Sequence, residues 1–239
     1  MNIIKYGGSK VSIGREEYDD HFIQGLIDLV KKYSEQKFMI AIGGGALNKI
    51  MNEEAREKNP EITGEELDWV GIKSTWVNAE YVIKKFKEAK LDVCSEVIKD
   101  PTKKVEGHRI YIAGAWKPGN STDYVTMMLA KVYAAERVIK ISDFEIVKDF
   151  SPLKVKDLSK TERDNILAEA KDLPNATWQK MIDLVGTEWV PRLNTPLDPL
   201  AAKLGFENKN ITLYICKESE LDKVLFGNLE TFRGTIVSG

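Results

Sequence analysis

Near the start of the chain, continuous apolar runs alternate with segments whose residues are typical of helices. Continuous apolar runs at 2–6 (NIIKY) and 38–42 (FMIAI) are typical of buried strands. Each is followed by a segment, 21–33 (HFIQGLIDLVKKY) and 46–58 (ALNKIMNEEAREK), that is typical of a helix; in the first of these, apolar residues recur every three or four positions. The pattern predicts two strand–turn–helix units in succession.

The same alternation continues to the end of the chain. Further strands are predicted at 91–97, 109–115, 137–142, 211–217 and 234–239, and further helices at 75–89, 122–135 and 198–205. Strands separated by helices of this length pair in parallel through right-handed crossovers. We therefore expect an α/β fold, a three-layer αβα sandwich with a largely parallel central sheet, in a single domain over residues 1–239. Residues 151–196, rich in charge and proline, are a candidate for a semi-independent segment.

Composition narrows the classes of function. The 35 basic and 37 acidic residues nearly cancel, and no basic stripe is interleaved with aromatic residues, so a nucleic-acid partner is not expected. No apolar run approaches the roughly 20 residues of a membrane span, and the first ten residues lack the core of a signal peptide. These observations predict a cytoplasmic protein with no membrane partner.

The cysteines and histidines do not indicate a metal site. Cys94 and Cys216 lie in separate apolar runs without CxxC spacing, and His21 and His108 are isolated. Buried free thiols are typical of cysteines in such runs. We expect two free thiols and no zinc centre.

Glycine turns follow the first two predicted strands. Gly7-Gly8-Ser9 follows the strand that carries Lys5, and Gly43-Gly44-Gly45 leads into a helix with Lys49 near its start. Such turns expose backbone N–H groups beside the positive end of a helix dipole, where phosphates bind. Alternatively, the glycines permit only tight turns and close packing. Neither turn matches GxxxxGK[ST] or GxGxxG, so a P-loop or dinucleotide site is not indicated.

A third polar turn precedes the helix predicted at 122–135. Ser121 or Thr122 is suited to the N-cap, and Asp123 suits the first turn of a helix. The preceding Pro118-Gly119 turn follows an apolar strand, so the same residues are also placed to contact a ligand at the strand ends. Position alone leaves both interpretations open.

Six motifs in order resemble those of the amino acid kinase superfamily, and most closely those of archaeal-type uridylate (UMP) kinases. They are IIKYGGSK, AIGGGALNK, LDWVGIKSTWVNAEYVI, GAWKPGNSTDYVTMMLA, PLDPLAAKL and RGTIVSG. Together they extend over nearly the whole chain. Each motif is weak by itself, and their order is specific for the superfamily more than for the substrate.

The resemblance implies transfer of the γ-phosphoryl of ATP to UMP, with Mg²⁺ held mainly by the nucleotide phosphates and a homohexameric assembly. Lys5 would stabilise the transferring phosphoryl group, with Asp123 as the second catalytic residue. The implied contacts to the ATP phosphates are Gly7, Gly8, Ser9, Lys140, Ser142 and Asp143. The implied contacts to the acceptor are Gly43, Gly44, Gly45, Lys49, Asp68 and Thr122.

The chain departs from the family pattern at both substrates. Trp76 and Lys49 replace two arginines of the acceptor side, which removes a bidentate guanidinium. In the adenosine region, Ile146, Lys148 and Ser151 replace glycine, tyrosine and aspartate. A β-branched isoleucine does not readily adopt the positive φ that glycine allows.

Three hypotheses therefore remain open from the sequence. The first is a kinase that uses ATP and UMP. The second is a kinase of the same fold that acts on another small phosphate or a carboxylate, which Trp76 and Lys49 favour. The third is a non-catalytic relative that binds a nucleotide or oxyanion, which the changed adenosine region favours and Lys5 argues against.

Overall fold

A computed structural model describes residues 1–188 and 195–239, in which strands and helices alternate. The strands are β1 (Asn2–Tyr6), β2 (Phe38–Ile42), β3 (Ile110–Ala113), β4 (Arg137–Ile141), β5 (Asn175–Thr177), β6 (Thr212–Cys216) and β7 (Gly234–Ser238). The helices are α1 (Asp20–Lys32), α2 (Gly45–Lys58), α3 (Gly64–Glu88), α4 (Thr122–Val132), α5 (Lys160–Glu169), α6 (Trp178–Val185), α7 (Pro199–Glu207) and α8 (Leu221–Phe226). Contacts divide the chain into two compact units, Met1–Ala135 and Glu136–Gly239.

The first unit contains three parallel strands in the order β3-β2-β1. Lys5 is in register with Ala41, and Ala41 with Ala113. Nearly every residue of these strands is buried, as is usual for parallel strands covered on both faces. Because the strands run in the same direction, the turns that follow β1, β2 and β3 lie at one edge.

The second unit contains four strands in the order β4-β6-β7-β5. β4 pairs with β6 and β5 pairs with β7 in parallel, whereas β6 and β7 are antiparallel. Parallel pairing therefore predominates in both units, as the sequence predicted for an α/β protein.

Helix α3 is longer than the pattern of apolar residues predicted. The expected helix covered 75–89, but α3 begins at Gly64. Its start is fixed by a capping box: Thr63 accepts from the Glu66 N–H, and the Glu66 carboxylate accepts from Thr63. Residues 64–74 are thus the largely exposed first part of the helix. Farther along, α3 buries one face, including Asn78 and Phe86.

The strand predicted at 91–97 is wrong. Residues 91–98 form only two isolated parallel bridges to β3 among the described residues, Val93 with Ile110 and Ile98 with Ala113. The bridges are five positions apart on the segment but three apart on β3, so the segment bends away between them and a regular ladder cannot form.

The segment 151–196 contains α5, β5 and α6, none of which the sequence pattern predicted. β5 pairs with β7, and the Trp178 indole of α6 donates to the Ile211 carbonyl at 3.1 Å. Residues 189–194 of this segment lie outside the described residues. The single domain over 1–239 stays a prediction.

Candidate active site

The two glycine turns lie side by side. Tyr6 at the end of β1 is in register with Ile42 at the end of β2. The Gly43 N–H donates to the Tyr6 carbonyl at 3.1 Å, which extends the pairing into the second turn. The parallel register therefore brings together the turns that the sequence singled out separately.

Three of the glycines are required where the turns touch. A Cβ added to Gly8 would overlap the backbone of Gly43 and Gly45. A Cβ on Gly43 would overlap the Gly8 nitrogen, and a Cβ on Gly45 would overlap the Gly8 carbonyl. Gly45 also has a φ of +59°, a left-handed conformation that glycine adopts without strain. Close packing of backbones is thus a sufficient reason for glycine at these three positions.

Close packing does not account for the N–H groups of the second turn. Gly44 precedes α2 without a side-chain cap, and the N–H groups of Gly44, Gly45 and Ala46 donate to no acceptor among residues 1–188 and 195–239. Gly44 is right-handed (φ −79°, ψ −30°) and the φ of Gly45 is left-handed. Successive residues of this kind form an anion-binding concavity, or nest, here at a helix N-terminus.

Lys5 and Asp123, the two predicted catalytic residues, meet beside these turns. The Lys5 Nζ lies 3.4 Å from Asp123 Oδ1, and the two side chains are 18% and 12% exposed. Lys5 is next to last in β1, and Asp123 is in the first turn of α4. The structure thus fixes an ammonium group, largely withdrawn from solvent, at the edge where the glycine turns lie.

The polar turn before α4 contains the N-cap residue of this helix, which the sequence did not distinguish from residues placed to contact a ligand. Ser121 is the N-cap, and its hydroxyl accepts from the Tyr124 N–H at 3.1 Å. Thr122 and Asp123 are therefore not needed as caps. The Thr122 hydroxyl has no hydrogen-bond partner in the described part of the chain.

Asp68 lies against the turn that precedes α4. Its carboxylate accepts from the Gly119 N–H at 3.1 Å, and Gly119 has a φ of +75°. The side chain of Lys49, on α2, is exposed and forms no ion pair within the described ranges. These two of the six predicted acceptor residues lie in the first unit. Asp68 stabilises this turn, and Lys49 is a cation that faces solvent.

Trp76 does not take over the role of the family arginine, because its indole N–H donates to a carbonyl group of the protein itself. The Nε1–H donates to the Ala115 carbonyl at 2.8 Å, and the Thr75 hydroxyl accepts from the Ala115 N–H at 2.8 Å. The Trp76 ring also lies against Gly114, and the Lys99 ammonium lies 4.5 Å from its centroid. Trp76 thus anchors the exit of β3.

We expect Trp76→Phe to lower the free energy of unfolding by about 1 kcal/mol, because it removes one hydrogen bond to a buried carbonyl. Trp69→Phe is the matched control, since Trp69 is 38% exposed. Urea unfolding measures both changes. If Trp76 instead contacts the acceptor, Trp76→Phe will change KM for the acceptor and leave the unfolding midpoint at the wild-type value.

The remaining predicted donor contacts belong to the second unit. The Ser142 hydroxyl donates to the Phe144 carbonyl at 2.7 Å, Asp143 is exposed, and Lys140 is half-buried in β4. Their assignment to the donor nucleotide stays a prediction.

The substituted adenosine residues have internal partners. The Ser151 hydroxyl donates to the Leu184 carbonyl at 2.6 Å, and Lys148 pairs with Asp172 at 2.8 Å. Ile146 is not among the non-glycine residues with positive φ in the described ranges. Isoleucine is therefore accommodated there without backbone strain.

The cysteines are free and buried, as predicted. Burial, together with the nearby Glu220 carboxylate, raises the pKa of the Cys216 thiol to about 12, so it stays protonated at neutral pH. Within the described residues, no three His, Cys, Asp or Glu side chains are grouped as metal ligands, and no helix is long and apolar enough to span a membrane.

Sequence reasoning missed Asn78 and Ser12 as parts of this site. The Asn78 side chain is fully buried and contacts the triple-glycine turn, and the Ser12 hydroxyl accepts from the Leu47 N–H at 3.3 Å. Asn78 falls within the third family motif, but its polar side chain on the buried face of α3 was the only signal of its contact.

The chain has the fold of the amino acid kinase class. A solved uridylate kinase from Archaeoglobus fulgidus superimposes with a TM-score of 0.77 over 100% of both chains at 21% identity. A UMP kinase from Ureaplasma parvum gives a TM-score of 0.69 over 99% of this chain and 98% of that chain at 16% identity. These matches confirm the predicted amino acid kinase fold.

Within that class, the resemblance to archaeal-type uridylate kinases is confirmed by sequence. The chain is 24% identical to a uridylate kinase of Methanococcus aeolicus over 241 aligned residues, covering 100% of both proteins. It is 26% identical to a uridylate kinase of Thermococcus sibiricus, covering 93% of each. No protein-family model matches the chain.

Proposed function

We propose that this chain transfers the γ-phosphoryl group of ATP to UMP, forming ADP and UDP. The observation that carries the proposal is the Lys5 ammonium, held 3.4 Å from Asp123 beside two glycine turns. Likeness to uridylate kinases along the whole chain supports UMP as the acceptor. It also supports ATP as the donor.

The backbone and one cation carry out most of the catalysis. Phosphoryl transfer depends on positioning and on neutralising charge spread over the phosphoryl oxygens. Lys5 supplies that positive charge, and Asp123 holds the ammonium in place. Gly7, Gly8 and Ser9 contact the ATP phosphates.

The acceptor is held by the second turn. The N–H groups at Gly44 and Gly45 bind the UMP phosphate, Lys49 adds positive charge, and Asp68 and Thr122 contact the nucleoside. An oxygen of the UMP phosphate attacks the γ-phosphorus while the bond to the β-phosphate oxygen of ADP breaks. Because a phosphate monoester with a second pKa of about 6 is mostly ionised at neutral pH, no side chain has to remove a proton.

The small number of carboxylates at the site is consistent with Mg²⁺ that is held mainly by the substrate phosphates. Mg²⁺ in such enzymes is bound by phosphates and water with one or two carboxylates, and not by a dedicated cage of side chains. Asp123 is the carboxylate beside Lys5. Bound Mg²⁺ would neutralise charge on the nucleotide phosphates.

Turnover over a panel of acceptors tests the proposed function. We expect ADP release from ATP and Mg²⁺ to be fastest with UMP, and much slower with CMP, AMP, GMP, carbamate and acetate. Fastest turnover with another small phosphate or a carboxylate would replace UMP as the acceptor. Nucleotide binding by calorimetry without turnover on any acceptor would indicate a non-catalytic relative.

Assembly and location follow from the same proposal. We expect a homo-oligomer, a hexamer by the resemblance, acting in the cytoplasm on small-molecule nucleotides.

A further inference from the structure

Asn78 places a fully buried amide against the triple-glycine turn. The residue is 0% exposed, and its Nδ2 group donates to the Gly43 carbonyl at 2.9 Å and to the Gly44 carbonyl at 3.1 Å. The buried positions that follow Asn78 on the same face of α3, Val82 and Phe86, are apolar. One side chain thus binds two successive carbonyl groups.

These two contacts fix the direction of the N–H groups that follow. In a planar trans peptide, the carbonyl of one residue and the N–H of the next point in opposite directions. Holding the Gly43 and Gly44 carbonyls against α3 therefore turns the N–H groups of Gly44 and Gly45 away from it. These are the N–H groups that lack acceptors within the described ranges.

The same amide also reaches the first glycine turn through Ser12. The Asn78 Nδ2 lies 3.4 Å from the Ser12 hydroxyl oxygen, which accepts from the Leu47 N–H at the start of α2. The Ser12 N–H donates to the Gly8 carbonyl at 3.0 Å. A continuous chain of hydrogen bonds therefore joins the two turns through Asn78.

The other end of the amide makes no compensating bond. Asn78 Oδ1 is buried and has no hydrogen-bond partner among the described residues. A buried acceptor without a partner is destabilising, so the Asn78 amide is kept at a cost in stability that its donor contacts have to offset. The amide is better explained by the two carbonyl groups that it orients.

We propose that Asn78 is a positioning residue. It sets the distance and orientation between the Gly7-Gly8-Ser9 turn, which would hold the donor, and the triple-glycine turn, which would hold the acceptor. This inference rests on the proposed function. Misplacement of reacting groups by about 1 Å can lower turnover on the order of 10²-fold. Asn78 therefore acts on kcat through the two turns, without touching either substrate.

Two variants of opposite character test the proposal. Asn78→Leu removes the amide and fills the space with apolar atoms, whereas Asn78→Asp keeps the shape but removes the donor group. We expect both to lower kcat by about 10- to 100-fold, with KM for ATP within about threefold of the wild type. Val82→Ala, on the same buried face of α3, is the control: it should lower the unfolding midpoint and leave kcat of the folded enzyme unchanged.

A double-mutant cycle with Ser12→Ala tests the link between the turns. We expect Asn78→Leu combined with Ser12→Ala to reduce kcat no further than Asn78→Leu alone, because both act on one chain of bonds. Unchanged kcat in folded Asn78→Leu, or an equal loss of kcat in Val82→Ala, would overturn the proposal.

The experiments distinguish failure of the proposed kinase activity from failure of the Asn78 proposal. If the wild-type protein turns over no acceptor, binding of inorganic phosphate by calorimetry replaces the assay, and Asn78→Leu should weaken it at least tenfold. Absence of both turnover and phosphate binding in the wild type overturns the function and the inference together. Normal wild-type turnover with normal turnover in both Asn78 variants overturns only the inference.

Discussion

Replacing Lys5 with methionine is expected to lower kcat by about 10²- to 10³-fold, the cost of removing one preorganised charge from a transition state. Methionine keeps a stem of similar length, so KM for ATP should change little if Lys5 acts mainly in the transition state. Steady-state ADP release at saturating ATP and UMP measures the change.

The control is Lys31→Met on the exposed face of α1, which should leave kcat unchanged. The Lys5 variant should also keep its fold, as judged by circular dichroism at the assay temperature. A folded Lys5→Met protein with wild-type kcat would remove Lys5 from the mechanism.

Gly8→Ala is expected to disrupt the paired turns. The new methyl group would overlap the backbone of Gly43 and Gly45, and backbone cannot move aside as a flexible side chain can. We expect a loss of about 1–3 kcal/mol in the free energy of unfolding, typical of overpacking. We also expect kcat to fall on the order of 10²-fold because the turns separate. Thermal unfolding and turnover measure the two effects.

Gly7→Ala provides the matched control one residue away. Among the described residues, a Cβ on Gly7 would meet only the Ser9 hydroxyl, at an ordinary 3.6 Å, and the φ of Gly7 is −63°. This variant should keep wild-type stability and most of its turnover. Equal losses in both variants would show that the backbone conformation of the turn, and not its contact with the second turn, is the sensitive feature.

Local patterns predicted most of the secondary structure. The apolar runs that became β1 and β2 and the periodic segment that became α1 are strong signals within a short window. The capping box at Thr63 was also present in the sequence, although the exposed first part of α3 lacks the apolar face that reveals a helix. The strand prediction at 91–97 was wrong because apolar alternation does not show whether a segment stays in register with its partner strand.

The candidate site was predictable only in part. Lys5, the glycine turns and Asp123 are separate signals in the sequence, and the parallel register brings them to one edge. The use of Trp76 for the Ala115 carbonyl and of Ser151 for the Leu184 carbonyl could not be predicted. These partners are 39 and 33 positions distant along the chain, beyond the reach of any periodic pattern.

The sequence by itself determined where strands give way to glycine and where helices begin, because those choices depend on the conformational freedom of neighbouring residues. Only the tertiary structure decided which glycines are required by contact, and that Asn78 directs the peptide groups between them. The physical reason is that steric overlap and buried hydrogen bonds act between atoms close in space, and chain folding alone sets those distances.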